Sequence, residues 1–503
     1  MIYIMNLTSR FQQILHTHPE KNILGYKQNG SWKWVNRDQL KNKVLFCVHS
    51  LQKHISIHDR VMYKGNNSVN WVAWSIATNA LGGTFVPLYN NQNDNYVNHI
   101  INDCNPSVFI TNDDYKGVTI MRDAIEDGIY GETIPIEHKS DVAKLIYTSG
   151  TTGKPKGVML THENMLHNIQ NVEKTFSDLQ TDKTYTTLNI LPWAHIYGLT
   201  TELYYNLLNN NKIAISSGPQ EFIKEIREIQ PELLYLVPRV LQTIKQKLEI
   251  LDKPLIRRIL PFVLNKMFGS NLVTIFIGGS QLDQSTKQFY LKYNISFCEG
   301  YGCTETSPMI SVNHIHNPRN EESVGKILDD LIVEIIDTEI CVAGPSIMKG
   351  YYRNDEATNN AFIRKDGNLF YKTGDQGYVE NGFLFYKGRI SENYKLSNGK
   401  FVNIGDVENI VKKYTNELMM VYGNNKDYNI LIVEESSSIE SYIPCINVEL
   451  DSYLRIKHVL KIPDNSFQNH LTPKMSLKRK EVEETFKKDI CEIYSKTRHL
   501  FSS

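Results

Sequence analysis

Cysteine is scarce: there are seven in 503 residues, and none stands in a C-x-x-C pair. So sparse and odd a set indicates neither a disulfide framework nor a common structural zinc site, and it suits a reducing compartment. An excess of either charge is also missing, since 55 Lys plus Arg balance 55 Asp plus Glu. No overall field then favours nucleic acid or an anionic membrane, and any polyanionic partner is expected to be small. The opening MIYIMNLTSRFQQ lacks the basic flank and small-residue cleavage site of a secretory leader, so a cytoplasmic location is expected. Long apolar runs are nearly absent. Trp71 to Tyr89 is uncharged over nineteen residues, long enough to span a bilayer. Yet Val69, Val72, Ala73, Ile76 and Ala80 follow a one-sided helical period, and Gly82-Gly83 then stops the helix before a strand-like Thr84 to Leu88. A buried helix and strand are predicted there. No repeat of fixed period is present.

What remains is a globular composition, 41% hydrophobic and 22% charged, in a chain long enough for about three domains or one large unit and a small one. Helical and strand patterns alternate, which favours an α/β fold. A strand is predicted to end over Ala143 to Thr148, and a helix runs through Glu163 to Val172. Short apolar runs at Leu272 to Ile277 and Ile295 to Phe297 lead into Gly278-Gly279-Ser280 and Glu299-Gly300-Tyr301-Gly302. In open α/β sheets ligands sit beyond the carboxyl ends of strands, so these strand ends could converge on one site. From about Val324 the texture is strand-rich, and from about Ile390 it is Lys-rich and charge-mixed. A domain boundary is placed near Arg389 to Glu392.

The most informative stretch is YTSGTTGKPKG at 147–157. Its glycines let backbone amides approach an anion, its hydroxyls donate, and its lysines supply charge: the chemistry of a phosphate cradle. It is not the common phosphate loop, because Gly153-Lys154 is followed by Pro155 where Ser or Thr is required. Other residues are ambiguous alone. Thr373-Gly374-Asp375 reads as a turn and Glu305 as a solvated acid. His195, with no second His at metal-ligand spacing, reads as a structural residue.

Several motifs in one order change those readings. They are DRV at 59–61, YTSGTTGKPKGV at 147–158, LPWAHIYGL at 191–199, GYGCTET at 300–306, VGK at 324–326, GPSIMKGYY at 344–352, YKTGD at 371–375, KGR at 387–389, KLSNGK at 395–400 and LTPKMSLKRK at 471–480. On these the chain resembles the AMP-forming acyl-CoA synthetases and their adenylate-forming relatives, most of all the fatty acid ligases. The resemblance implies an α/β fold. Residues 1–390 would form a large region of two α/β subdomains plus a distorted β-barrel, and 391–503 a small mobile α+β domain hinged at Ser391. It implies activation of a fatty carboxylate by ATP with Mg²⁺ to an acyl-adenylate, then thioester formation with CoA.

By the same resemblance, Thr148, Ser149, Gly150, Thr151, Thr152, Gly153 and Lys156 hold the β and γ phosphates. Thr304 contacts the α-phosphate, and Glu305 is a hard oxygen ligand for Mg²⁺. Gly279, Ser280, Gly300, Tyr301, Gly302 and Tyr386 line the adenosine pocket, with Asp375 and Arg389 on the ribose. His195 gates the carboxylate site, with Trp193 and Tyr197 as apolar walls, and Lys395 serves the second half-reaction.

Two positions depart from the family's pattern. Ser476 stands where fatty acid ligases carry the lysine of adenylation, leaving Lys474 or Lys478 as substitutes, and Ser391 stands where Asp or Lys is usual at the hinge. A binding protein of the same fold with impaired adenylation, or acyl transfer to a carrier-protein thiol, are the alternatives. Contact with a membrane is compatible with a long-chain substrate, although no basic amphipathic helix announces it.

Overall fold

A computed structural model of the protein describes residues 6–126, 128, 130–131, 133–137, 140–149, 155–177, 179, 183–248, 252, 257–415, 417–471 and 477–499. The fold is a mixed α/β one with a large N-terminal part and a smaller C-terminal part. Among the described residues, seven strands form one sheet in the order Gly350–Tyr351, Pro155–Thr161, Val142–Ser149, Thr84–Leu88, Arg60–Lys64, Val108–Ile110, Ile120–Met121.

The helix Val69–Ala80 packs on this sheet. Ser68 starts it by accepting the Trp71 amide at 3.0 Å, and the chain turns away through Gly82. The sequence predicts one buried face, but every residue except Asn70 is buried. The reason is a second layer beyond the sheet: Trp71, which meets Phe85 of the sheet edge-on at 5.1 Å, also meets Trp193 at 5.6 Å, and Ser75 bonds the Tyr204 hydroxyl at 2.9 Å. Among the described residues, no helix is long and apolar enough to cross a membrane.

Among the described residues, a second sheet of fourteen strands has a parallel half and an antiparallel half. Its parallel half runs Asn22–Gln28, Lys212–Ile215, Thr186–Asn189, Leu233–Leu236, Thr274–Ile277, Phe297–Gly302. The last of these is the seam, because beyond Glu299 it pairs antiparallel with Met309–Val312 and leads to Lys326–Ile327, Phe383–Arg389, Asn368–Glu380 and Glu339–Ala343. The sequence places a strand at Ile295 to Phe297 with a glycine loop after it. Instead the glycines are the strand. Asn294 is left-handed at φ 56°, which delays pairing until Phe297. A Cβ on Gly302 would lie 1.8 Å from the Pro308 carbonyl oxygen, so only glycine permits the crossing. No pairing that closes the antiparallel strands into the expected barrel is found among the described residues.

Past Arg389, the strands Met419–Tyr422, Asn429–Glu434 and Ile456–Ile462 form a separate three-stranded sheet. Its buried apolar clusters, drawn from Tyr394 to Ile490, share no residue with those before Arg389.

Candidate nucleotide and acyl site

The phosphate-cradle sequence begins on the strand Val142–Ser149 and returns on Pro155–Thr161, with Thr148 opposite Lys156. Gly150, Thr151, Thr152 and Gly153 lie outside the described residues, as do Lys474 and Ser476 and the side chain of Ser149. Lys156 places its Nζ 5.2 Å from the centre of the Tyr351 ring. The Tyr351 hydroxyl donates to Glu305 Oε1 at 2.9 Å, and the Met348 amide donates to the Glu305 carbonyl at 2.8 Å. Three segments far apart in sequence therefore bring a cation, a phenol and a carboxylate together. Thr304 is buried beside them in a short 3₁₀ turn held by Thr306, whose Oγ1 accepts the Cys303 amide at 3.1 Å. Sequence reasoning gave Tyr351 no role, although it stands inside the GPSIMKGYY motif.

A second cluster forms where the strand Asn368–Glu380 pairs with Phe383–Arg389. The Tyr301 hydroxyl donates to Asp375 Oδ2 at 2.6 Å, and Arg389 Nε lies 2.9 Å from Asp375 Oδ1. Arg389 Nη1 also donates to the Thr373 carbonyl at 3.1 Å, and the Tyr301 and Tyr386 rings lie 5.6 Å apart. Asp375 is buried at 3% exposure. Burial pushes its carboxyl up to about 6, against the opposing pull of Arg389 and the Tyr301 hydroxyl. Burial works against the Arg389 charge most strongly of all, but Asp375 with Tyr386, Tyr301 and Cys303 together hold the guanidinium above its usual range.

His195, Tyr197, Gly279, Gly300, Tyr301 and Gly302 border an apolar cavity of about 30 Å³, also faced by Phe276 and Met309. The Tyr197 amide donates to His195 Nδ1 at 3.2 Å, which leaves a neutral ring its proton on Nε2. Trp193 does not line this cavity. It is fully buried against Trp71.

Ser280, Tyr386 and Arg389 border a second, polar cleft of about 250 Å³, closed on the far side by Glu392, Glu408 and Arg479. Arg479 Nη2 meets both Glu408 oxygens at 2.5 Å, and its Nε lies 3.1 Å from Glu392. Sequence reasoning passed over Arg479 in favour of its neighbour Lys478. Lys478 turns outward to Glu481 at 3.0 Å, and Lys395 is exposed on the two-residue strand Tyr394–Lys395; neither borders the apolar cavity or the polar cleft. Ser391 is exposed in the 3₁₀ turn Ile390–Glu392. No group of three or more His, Cys, Asp or Glu suited to a metal occurs among the described residues.

Two family models cover most of the chain: that of the AMP-binding enzymes matches residues 11–352, and that of the AMP-binding enzyme C-terminal domain matches 393–498. The chain belongs to the AMP-binding enzyme family. Among relatives of this AMP-binding enzyme, Probable 4-coumarate--CoA ligase 1 of Dictyostelium discoideum is 32% identical over 277 residues, 52% of this chain and 47% of that one. The chain thus spans about half the length of the first curated relatives it matches. Long-chain-fatty-acid--CoA ligase FadD15 of Mycobacterium bovis is 23% identical, with 96% of each chain covered. The fold is shared with ATP-bound MatB from Rhodopseudomonas palustris at a TM-score of 0.81 and 19% identity, over 96% of this chain and 99% of that one.

Proposed function

We propose that the protein is an AMP-forming acid:CoA ligase that activates a fatty acid with ATP and Mg²⁺. The observation that carries this reading is the pair of clusters built on and just after the Phe297–Gly302 strand. Lys156, Tyr351 and Glu305 offer one side chemistry for phosphate, and Tyr301, Asp375 and Arg389 offer the other chemistry for a sugar.

In this reading Lys156 and the hydroxyls of Thr148, Ser149, Thr151 and Thr152 neutralise the β and γ phosphates, while Gly150 and Gly153 admit them closely. Thr304 steadies the α-phosphate. A carboxylate oxygen of the acid attacks the α-phosphorus and pyrophosphate leaves. The donor set suits magnesium, because a single carboxylate, Glu305, leaves the remaining positions to phosphate oxygens and water, as that ion prefers. Bound there, the ion would offset charge on the transferring phosphoryl group. Asp375 accepts from the ribose hydroxyls and Arg389 donates, fixing the sugar, while Gly279, Ser280, Gly300, Gly302, Tyr301 and Tyr386 enclose the base. His195 stands between the acyl cavity and the phosphates. We take 1–390 as the large domain and 391–503 as the small one, turning at Ser391 so that Lys395 can face the adenylate when the CoA sulfur attacks its acyl carbon and AMP departs.

A second reading concerns the acid alone. The acyl cavity has room for roughly two waters as it stands. A long chain needs it to widen, whereas a compact or aromatic acid needs less. ATP–pyrophosphate exchange with magnesium, run across short, long and aromatic acids, tests both readings. Acid-dependent exchange is expected, and its dependence on chain length identifies the acid. ATP binding without exchange for any acid overturns the ligase reading in favour of a binding protein. Exchange followed by transfer to a carrier-protein thiol but not to CoA overturns the acceptor.

A further inference from the structure

The helix Leu260–Phe268 and the turn Arg257–Ile259 before it bury Leu260, Leu264 and Phe268 at four-residue intervals. That stripe meets the helix's need for one apolar face toward the core. Its opposite face is apolar as well. Phe262 is 71% exposed and Ile259 50% exposed, with Pro261 exposed and Val263 half-buried beside them. Ile259, Phe262, Val263 and Lys266 follow the i, i+3, i+4, i+7 spacing of one helical side. Arg258 and Lys266 are exposed at its two ends.

The charge around this face is one-sided. From Arg257 to Leu282 the sequence has three cations and no Asp or Glu, in a chain of zero net charge. The preceding acid, Asp252, is paired with Lys292 at 2.7 Å. On the adjoining helix Phe222–Ile229 and the residue before it, Glu221 is paired with Lys224 at 3.2 Å and Glu228 with Lys27 at 2.7 Å, while Arg227 stands exposed. A second copy meeting this face about a two-fold axis would set Arg258 and Lys266 against their own counterparts. A surface of anionic headgroups over hydrocarbon complements both the cations and the exposed rings.

We propose that this face docks the protein on an anionic phospholipid surface, with Phe262 and Ile259 entering the headgroup boundary and Arg258 and Lys266 meeting the phosphates. The sequence alone does not announce this helix, because its two apolar stripes blur the amphipathic pattern. Docking here is independent of the ligase reading and is measured without substrate.

The test is co-sedimentation of the full chain with vesicles of phosphatidylcholine alone and of phosphatidylcholine mixed equally with phosphatidylglycerol. Binding to the mixed vesicles only is expected. Ile259→Asp with Phe262→Asp should lower the bound-to-free ratio at least about tenfold, and Arg258→Gln and Lys266→Gln about fivefold each at low salt. All four side chains are solvent-facing, so thermal unfolding and exchange with a short water-soluble acid should be unchanged. Absence of binding to the anionic vesicles overturns the proposal. So does equal binding by the Asp variants, or a dimer mass in light scattering that those variants abolish. Loss of exchange in the unmodified chain bears only on the ligase reading.

Discussion

The Tyr301, Asp375 and Arg389 cluster and the C-terminal region use charge in opposite ways. Tyr301, Asp375 and Arg389 come from three segments and hold one another at 2.6 and 2.9 Å, so the directions of their donors and acceptors are fixed by the fold itself. The small region is richer in cations, yet among its described residues three that stand near the family's C-terminal motifs are paired or turned away. Arg479 is clasped by Glu408 and Glu392, Lys478 by Glu481, and Lys395 faces solvent. Preorganised groups stabilise a transition state because they need no rearrangement when charge develops. The large region is built to bind. The small region can assist only where its position, rather than its charge count, places a cation at the reacting atoms.

The largest break in this contrast is Asp375→Ala. It removes the partner of both Tyr301 and Arg389, leaving a guanidinium beside a vacated buried site. Exchange should fall on the order of a hundredfold to a thousandfold, as when one preorganised group is lost from an active site. A fall of less than threefold would place the sugar elsewhere. Ser476→Lys sharpens the other side. If the missing charge limits the first half-reaction, exchange should rise on the order of a hundredfold, with the ATP KM little changed. An unchanged rate would say that adenylation here does not depend on a cation at that position.

The pH dependence separates the two regions by about tenfold. With its carboxyl pushed up to about 6 by burial, Asp375 loses most of its charge between pH 7 and pH 5, so the ATP KM should rise about tenfold over that interval. Asp375→Asn should flatten the profile. Stability runs the other way. Because the folded value lies above the unfolded one of about 3.9, the favourable contribution is complete below that unfolded value and is lost as pH rises through about 6. At neutral pH the buried charge therefore costs the fold on the order of 2–3 kcal/mol, and Asp375→Asn should recover part of it in thermal unfolding.

The order of motifs along the chain made the α/β class and the nucleotide chemistry readable, because glycine, hydroxyl and charged residues at strand ends have few other uses. Long-range pairing was not readable. Nothing local in Tyr351 says that its hydroxyl reaches Glu305, 46 positions away in sequence. Gly300 to Gly302 suggest a loop until the strand pairing is seen, where a Cβ on Gly302 would collide with the Pro308 carbonyl at the crossing of strands. Trp193 stands in the motif that supplies His195 and Tyr197 but faces Trp71, since spacing in an irregular segment does not fix the direction of a side chain. The helix Leu260–Phe268 hid for a different reason: apolar residues on two faces give no single stripe.

The smallest expected effect tests the direction of one side chain. An extended segment would bring Lys478 about 7 Å along the chain from position 476 and on the same face. The helix Arg479–Thr485 begins directly after Lys478, whose amide donates to the His470 carbonyl at 2.8 Å and whose ammonium takes Glu481 one turn along. An exposed i, i+3 pair of this kind contributes only a few tenths of a kcal/mol. Lys478→Ala should therefore change exchange by less than about twofold and thermal unfolding hardly at all. Arg479→Gln offers the contrast, because it leaves Glu408 and Glu392 without their shared cation and should lower stability by about 1–3 kcal/mol. If Lys478→Ala instead costs exchange tenfold or more while Arg479→Gln does not, the C-terminal segment reacts in a different arrangement, and the charge absent at 476 has moved two residues along.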